Sequence, residues 1–313
     1  MKAIILDQPG GAENLKLATL NLPVIKNNEV LIQVKAISIN PIDIKTRKGQ
    51  GLYEKLKTEV PLILGWDISG IITQVGAEVN DFKVGEAVFG MINFPGHGKA
   101  YAEYVAVPAE QLAIKPANIS HAEAAATTLA ALTAYQSLIQ HGKITRGQRV
   151  LIHAASGGVG HFAVQIARSL GAYVIGTASA ANRDFVLSLG ANEHVDYKAV
   201  RFEETLSDID LVLDTVGGAN TELSLQVTKK GGTVISIITG SSALIAEKAK
   251  EKGIHCYNTA VKSSGDDMRV LAKLLSNGAL KPHIAQSFEL DEISRAHQQI
   301  ETGRTVGKIV VTL

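Results

Sequence analysis

Short apolar runs alternate with helical patterns from about residue 122 to residue 262. The run at 150–154 enters a glycine-rich turn at 157–160, and apolar residues then recur at the three- and four-residue spacing of a helix. Further runs of strand length, separated by helical patterns, lie at 173–177, 211–216, 233–238 and 254–257. Strands that alternate with helices predict an α/β fold with a doubly wound parallel sheet and right-handed crossovers.

Residues 1–121 follow a different pattern, in which short β-type runs are interrupted by glycine and proline. These runs lie at 30–36, 68–75, 87–91 and 102–107. The end of the chain, 307–313, is another strand pattern without a βαβ partner of its own. We therefore predict a β-rich domain made of residues 1–121 and 263–313, with an α/β domain, residues 122–262, inserted into it.

The composition excludes several classes of protein. A formal net charge of +1 over 313 residues gives no basic surface for nucleic acid. No apolar stretch approaches the ~18 residues of a membrane span, and the first apolar run is too short for a signal peptide. The one cysteine, Cys256, rules out an internal disulfide and a cysteine-based metal cage. We predict a cytoplasmic protein without a membrane partner.

The turn at 155–160 carries the clearest chemistry. Ala155-x-Gly157-x-x-Gly160 matches the dinucleotide fingerprint G-x-G-x-x-G, with alanine in the first position. Gly157 has no Cβ to hold a pyrophosphate away, and Gly160 lets the helix pack closely on the strand. The helix N-terminus adds backbone N–H groups and a partial positive charge. The pattern predicts a bound dinucleotide.

The second strand of the α/β domain indicates which dinucleotide is bound. In NAD-binding folds an acidic residue at this position holds the ribose 2′-hydroxyl. Here the strand ends at Ser179 without a carboxylate, and Arg183 precedes Asp184 in the next helix. A hydroxyl and a guanidinium suit a 2′-phosphate, so we predict NADPH as the cofactor. The alternative for Arg183 is a solvated charge on a helix face.

Several motifs together resemble one family. They are Asn40-Pro41-Ile42-Asp43, Leu64-Gly65-Trp66-Asp67-Ile68-Ser69-Gly70, Val75-Gly76, Lys83-Val84-Gly85-Glu86, Leu132-Thr133-Ala134, the glycine turn and Gly307-Lys308. Over essentially its whole length the chain resembles the medium-chain dehydrogenase/reductase superfamily, in its zinc-free quinone oxidoreductase (zeta-crystallin-like) branch. The resemblance implies a GroES-like β domain plus a Rossmann domain with a doubly wound parallel sheet.

The resemblance also bears on metal chemistry. Zinc alcohol dehydrogenases need a thiolate and an imidazole around a catalytic zinc. At the corresponding positions this chain has Asn40 and Trp66, and neither an amide nor an indole is a credible ligand. We expect no metal site. Alcohol oxidation is then slow, whereas hydride transfer to a quinone or an α,β-unsaturated carbonyl leaves charge that hydrogen bonds stabilise. The prediction is an NADPH-dependent oxidoreductase of such acceptors.

Roles for individual residues follow from the resemblance. Asn40 is the candidate for a catalytic hydrogen bond to the acceptor carbonyl, its alternative being a turn-forming asparagine before Pro41. Tyr53 and Trp66 are candidates for the acceptor pocket, and Trp66 is better interpreted as a packing residue than as a wall of that pocket. The candidate cofactor residues are Thr133, Ser156, Gly157, Gly158, Val159, Gly160, Ser179, Arg183, Tyr197, Val216 and Thr239.

These cofactor residues divide into three groups. The glycine turn is expected at the pyrophosphate. Ser179, Arg183 and Tyr197 are expected at the 2′-phosphate, with an exposed loop tyrosine as the alternative for Tyr197. The remaining three, with Thr133 placed at a helix start, are expected beside the nicotinamide.

The sequence leaves two other functions open. One is a reductase confined to enals and enones, with little quinone activity. Another is a non-catalytic NADPH-binding protein, because relatives of this kind serve as lens crystallins or bind RNA. The neutral charge argues against RNA. The resemblance leaves a homodimer open.

Overall fold

The computed structural model describes residues 1–238 and 243–313, so the candidate Thr239 lies outside the described residues. The chain divides into two compact units. The first consists of Met1–Leu132 and Lys262–Leu313, and the second of Thr133–Val261. Strands and helices are numbered below in chain order.

Two sheets form the first unit. Its strands are β1 (Lys2–Leu6), β2 (Leu15–Thr19), β3 (Glu29–Ile39), β4 (Leu62–Ile63), β5 (Asp67–Val75), β6 (Ala87–Met91), β7 (Tyr104–Pro108), β8 (Ala113–Ile114), β15 (Ile284–Glu289) and β16 (Lys308–Thr312). The larger sheet has the order β15-β16-β3-β5-β6-β8, with β7 also paired to β3, and the smaller has the order β2-β1-β4. The strand predicted at the end of the chain therefore joins the larger sheet of this unit.

The long strand β3 organises the larger sheet. Its apolar and β-branched residues are mostly buried, and it pairs antiparallel with β5, β7 and β16. Ser38 lies opposite Asp67, and Ile39 lies opposite Ile309. This register brings the end of β3 next to the first residues of β5 and β16.

Five helices accompany these sheets. They are α1 (Pro41–Arg47), α2 (Tyr53–Leu56), α3 (His121–Tyr135), α9 (Gly265–Ser276) and α10 (Ile293–Glu301). The predicted position of Thr133 at a helix start is wrong, because α3 begins at His121 and Thr133 lies in its last turn. Ser120 and Glu123 set the start, since each accepts a hydrogen bond from the other's backbone N–H.

The second unit is built on a single parallel sheet. Its strands are β9 (Arg149–Ile152), β10 (Tyr173–Ala178), β11 (Glu193–Asp196), β12 (Ile209–Asp214), β13 (Thr228–Ser236) and β14 (His255–Asn258). Its helices are α4 (Gly160–Ser169), α5 (Arg183–Ser188), α6 (Phe202–Thr205), α7 (Ala219–Val227) and α8 (Ala243–Glu251), and a π-helical turn spans Gln136–His141.

The strand order of this sheet is β11-β10-β9-β12-β13-β14, and all its pairs are parallel. The chain therefore starts in the middle at β9, moves outward to β11 and then returns to β12 on the other side. In such sheets ligands bind beyond the carboxyl ends of the strands where the order reverses, which is here between β9 and β12. Among the helices that the structure describes, none has the length and hydropathy needed to cross a membrane.

Candidate functional site

The turn between β9 and α4 is fixed to the strands on both sides of it. The His153 N–H donates to the Leu213 carbonyl at 3.1 Å, and the Ala155 N–H donates to the Thr177 carbonyl at 2.9 Å. The left-handed position of the turn is occupied by Ala154, with φ 47°. Ala155 itself has no positive φ, which explains why alanine serves in the first position of the glycine fingerprint.

The two fingerprint glycines are required for different reasons. A Cβ on Gly160 would lie 2.2 Å from the Ala154 carbonyl oxygen and 2.8 Å from Ala155 Cα, so close packing of α4 on the turn demands glycine. A Cβ on Gly157 would lie 3.2 Å from the same oxygen, a contact that a small shift relieves. Among the residues that the structure describes, none therefore demands glycine at 157, which fits a ligand that approaches this backbone from outside.

The N-terminus of α4 is suited to an anion. Within the described chain, no side chain caps this helix, whose N-cap is Val159. The helix dipole therefore favours a phosphate at this end, where the His161 N–H donates to the Gly157 carbonyl at 3.0 Å. The Asn182 amide donates to Ser156 Oγ at 3.1 Å, which ties the turn to the loop after β10. That bond places the neighbouring Arg183 beside the same edge of the sheet.

The three residues predicted for the 2′-phosphate follow two neighbouring strands. Ala178 and Asp196 are paired in register at the ends of β10 and β11, so Ser179 and Tyr197 leave the sheet side by side. Tyr197 is 57% exposed, and the Arg183 side chain is 63% exposed, with an ion pair to Asp184 at 3.3 Å. Exposed polar side chains at the carboxyl ends of parallel strands are available to a ligand.

Lys198 was missed by the sequence analysis. Its Nζ lies 6.0 Å from the centre of the Tyr197 ring, which adds a second positive charge to this edge of the sheet. The available signal was a basic residue directly after the candidate tyrosine, at the end of a predicted strand.

The loop after β12 is anchored by Asp214, which the sequence analysis also missed. This buried carboxylate accepts hydrogen bonds from the Val216 N–H at 2.9 Å, the Gly217 N–H at 3.0 Å and the Asn220 amide at 3.0 Å, and from the Thr221 hydroxyl. Burial opposes ionisation of Asp214, but the bonds from Gly217 and Thr221 outweigh it and hold its pKa below the ordinary value. The Val216 side chain is left 54% exposed.

His153 helps to fix this edge of the sheet through hydrogen bonds of its side chain and of its backbone. Its Nδ1 lies 3.1 Å from Thr177 Oγ1, and its Nε2 lies 3.1 Å from Ser224 Oγ. Burial lowers its pKa to about 4, so the ring is neutral at neutral pH. Its backbone carbonyl accepts the Thr215 hydroxyl at 2.8 Å, which links the ends of β9 and β12 directly.

In the first unit, Asn40 lies in a buried polar network. Its backbone N–H donates to Asp43 Oδ2 at 2.6 Å, and its side-chain Nδ2 donates to Asp67 Oδ2 at 2.8 Å. Its Oδ1 accepts a hydrogen bond from the Lys308 ammonium. Asp67 Oδ1 also accepts from the Leu129 N–H at 2.9 Å. Because an ammonium only donates and a carboxylate accepts, these partners fix which end of the amide is oxygen.

Trp66 and Tyr53 do not share this network. Trp66 is 1% exposed, and its indole N–H donates to the Gly96 carbonyl at 2.7 Å while Phe94 packs edge-on at 5.4 Å. A ring buried in this way serves packing. Tyr53 begins α2 and is half-buried. Among the described residues, neither side chain has a hydrogen bond to Asn40.

Asp43 interacts with Tyr101, which belongs to a second group of buried polar residues that the sequence analysis did not single out. Tyr101 Oη lies 3.0 Å from His297 Nε2, and Arg47 Nη1 lies 3.5 Å from His297 Nδ1. Arg47 in turn pairs with Glu301 at 2.9 Å. Burial raises the pKa of Asp43 to about 8, and burial, with Arg47, lowers the pKa of His297 to about 3.

These shifts predict opposite effects of pH on stability. The pKa of folded Asp43, about 8, exceeds its ordinary 3.8, so stability is highest below about pH 4 and is lost as pH rises toward 8. The pKa values of His153 and His297, about 4 and about 3, lie below the ordinary 6.5, so stability is lost as pH falls below 6.5. We expect the free energy of unfolding to peak near pH 6.5 and to decline toward pH 8.

Urea unfolding of the wild type and of Asp43→Asn at pH 6.5 and pH 8 tests this expectation. The asparagine still accepts the Asn40 N–H but does not ionise, so the decline toward pH 8 should become shallower. An equal decline in both proteins would show that Asp43 does not titrate in this range.

Comparisons with family models and with known proteins agree on one family. A model of the alcohol dehydrogenase GroES-like domain matches residues 26–117, and a zinc-binding dehydrogenase model matches residues 189–311. The chloroplastic NADPH-dependent alkenal/one oxidoreductase of Arabidopsis thaliana is 32% identical over 321 residues, which cover 99% of this chain and 79% of the relative.

Solved structures agree with this match. The quinone oxidoreductase from Coxiella burnetii superposes with a TM-score of 0.95 at 38% identity, covering 100% of this chain and 99% of that one. The Escherichia coli quinone oxidoreductase complexed with NADPH superposes with a TM-score of 0.89 at 29% identity, covering 100% of both chains. The predicted fold class is confirmed, and the chain belongs to the medium-chain dehydrogenase/reductase superfamily, among its quinone-oxidoreductase-like members.

Proposed function

We propose that this protein is an NADPH-dependent oxidoreductase that reduces quinones or α,β-unsaturated carbonyl compounds. The observation that carries the proposal is the uncapped helix α4 behind a glycine turn, at the strand edge where Ser179, Arg183 and Tyr197 replace the acidic residue of NAD-binding folds. A solved relative holds NADPH, and others are named as quinone or alkenal/one reductases.

Each part of the dinucleotide has residues that fit it. Residues 156–160 are suited to the pyrophosphate, because Gly157 has no side chain to hold it away and the dipole of α4 favours an anion. Ser179, Arg183 and Tyr197 are suited to the 2′-phosphate, with Lys198 as an added charge. Val216 and Thr133 are assigned beside the nicotinamide, which supplies the hydride when bound.

Asn40 is assigned to the acceptor oxygen. One Nδ2 hydrogen is held by Asp67, whereas the other faces the Ser38 carbonyl at 3.5 Å, a long contact. That second hydrogen is the one left for a carbonyl on which charge develops. Asn40 is 1% exposed, so an acceptor reaches it only after a local movement.

The proposed chemistry needs no zinc. Asn40 and Trp66 stand where zinc-dependent relatives have a thiolate and an imidazole, and here both side chains are bonded to protein partners. In the described part of the chain, no group of three His, Cys, Asp or Glu side chains is arranged to hold a metal ion. The zinc in the name of one family model is therefore not carried over. The cytoplasmic location stays a prediction, because one relative is chloroplastic.

The decisive experiment follows the loss of NADPH absorbance with a simple quinone, an alkyl enone, a 2-alkenal and, in the reverse direction, a secondary alcohol with NADP⁺. Each reaction is repeated with the non-phosphorylated cofactor. We expect turnover of quinone or enone with NADPH and little with NADH. Alcohol oxidation would contradict the zinc-free proposal. Binding of NADPH without any turnover would favour the non-catalytic alternative.

A further inference from the structure

A hydrogen bond connects the ends of β9 and β12 at the point where the strand order reverses. From β12, Asp214 binds the backbone of its own loop, at the Val216 and Gly217 N–H groups. The next residue, Thr215, donates its hydroxyl to the carbonyl of His153, the first residue after β9. The loop after β12 and the glycine turn after β9 are thus held at a set spacing by the protein itself.

Both oxygens of the Asp214 carboxylate accept hydrogen bonds. Oδ1 accepts from two backbone N–H groups and from the Asn220 amide, and Oδ2 accepts from the Thr221 hydroxyl. Only an ionised carboxylate accepts all four without presenting a hydrogen of its own. Bonds of this kind are charge-assisted and are stronger than bonds between neutral groups. The site is buried, so water does not compete for the same donors.

The loop held in this way presents an exposed residue. Gly217 and Gly218 have φ of 79° and 62°, a left-handed pair that defines a sharp turn. Glycine-rich turns are flexible in the absence of restraints, because glycine loses the most conformational freedom on ordering. Asp214 provides the restraint, and Val216, with half of its surface exposed, is the residue that the turn displays.

We propose that Asp214 is a positioning residue for the cofactor. It orders the Val216–Gly217 turn before the cofactor binds, so the free energy of binding is not reduced by the conformational entropy that ordering the turn would lose. The inference rests on the proposed function, in which this turn lies beside the nicotinamide. Asp214 acts through the turn and does not touch the ligand. Its effect is therefore on affinity and not on the chemical step.

The test compares Asp214→Asn with Thr221→Val. The first variant keeps the shape of the side chain but removes its charge, so the bonds to the Val216 and Gly217 N–H groups are no longer charge-assisted and the turn is loosened. The matched control removes a hydrogen bond to the same carboxylate, yet leaves the two backbone bonds of the turn in place. Thr215→Val is a further variant that breaks the link to His153 without changing charge, for use if Asp214→Asn does not fold.

Two measurements are made on each protein. Amide hydrogen exchange without cofactor reports the order of residues 215–218, and fluorescence titration reports the Kd for NADPH. For Asp214→Asn we expect faster exchange confined to the turn and a Kd raised roughly 10-fold, about the cost of ordering one residue on binding. Thr221→Val should leave both quantities near those of the wild type, and Thr215→Val should change both in the same direction as Asp214→Asn.

Equal changes in Asp214→Asn and Thr221→Val would overturn the inference, because they would show a general loss of stability. Unchanged exchange of the turn in Asp214→Asn would also overturn it. A wild type that does not bind NADPH would instead contradict the proposed function. The inference, which concerns cofactor affinity, would then fall with the proposed function, whereas an unchanged Kd in Asp214→Asn beside a wild type that binds NADPH would overturn the inference alone.

Discussion

Gly160→Ala is expected to destabilise the second unit by about 3 kcal/mol and to abolish tight NADPH binding. The added methyl group meets the Ala154 carbonyl oxygen at 2.2 Å and Ala155 Cα at 2.8 Å, and both are backbone atoms that no rotamer change moves away. Relief requires α4 to shift from the turn, and overpacking of this kind costs ~1–3 kcal/mol. Urea unfolding gives the stability, and fluorescence titration gives the Kd.

Gly157→Ala is the matched control three residues earlier in the same turn. Its methyl group lies 3.2 Å from the same oxygen, so the stability should change by less than about 1 kcal/mol. Binding of NADPH should nevertheless weaken by roughly 10-fold or more, because the methyl group occupies the approach of the pyrophosphate. If both variants lost stability equally, the two glycines would share one structural role and the assignment of Gly157 to the ligand would be wrong.

Arg183→Ala should reduce the affinity for NADPH and spare that for NADH. The guanidinium is 63% exposed and, among the described residues, is paired with its neighbour Asp184 alone, so its removal leaves the fold intact. A charge-assisted contact with the 2′-phosphate is worth ~1.5–3 kcal/mol, which corresponds to a ~10- to 150-fold rise in the Kd for NADPH. The measurement is a pair of titrations, one with each cofactor, on the wild type and the variant.

Arg201→Ala supplies the control for a general effect of charge. Arg201 lies in the same unit, is 69% exposed and pairs with Glu203 and Glu204, but is assigned no contact with the cofactor. It should leave both affinities near the wild-type values. Equal losses with NADPH and NADH in Arg183→Ala would remove Arg183 from the phosphate site and return it to a solvated helix face.

The second unit was largely predictable because its signals are local. The central strands β9, β10 and β12 are short buried runs bounded by glycine or polar residues, and the fingerprint glycines fall where a turn must be tight. The misplacement of Thr133 has a local cause as well. Helix α3 is rich in alanine and threonine and is buried almost throughout its second half, so it shows no clear apolar face to mark its start.

The network around Asn40 was not predictable, because its partners are distant in sequence. Asp67 lies 27 residues from Asn40 and Lys308 lies 268 residues from it. Tyr101 and His297 are 196 residues apart. A buried histidine on an amphipathic helix and a tyrosine in a loop carry no pattern that relates them. The pairing of β5 with β3 brings Asp67 to Asn40, and the pairing of β16 with β3 brings Lys308 there.

That pairing also dictates an order of folding. The first unit needs β15, β16 and Lys308, which are synthesised only after the whole of Thr133–Val261. Until then the edge of β3 at residues 36–39 has no partner strand, and the buried carboxylate of Asp67 lacks its ammonium. On the ribosome the second unit, which is continuous in sequence, is therefore complete first. Until β16 is synthesised, the amino-terminal segment keeps an unpaired sheet edge. We therefore expect it to be the part of the nascent chain that most needs a chaperone.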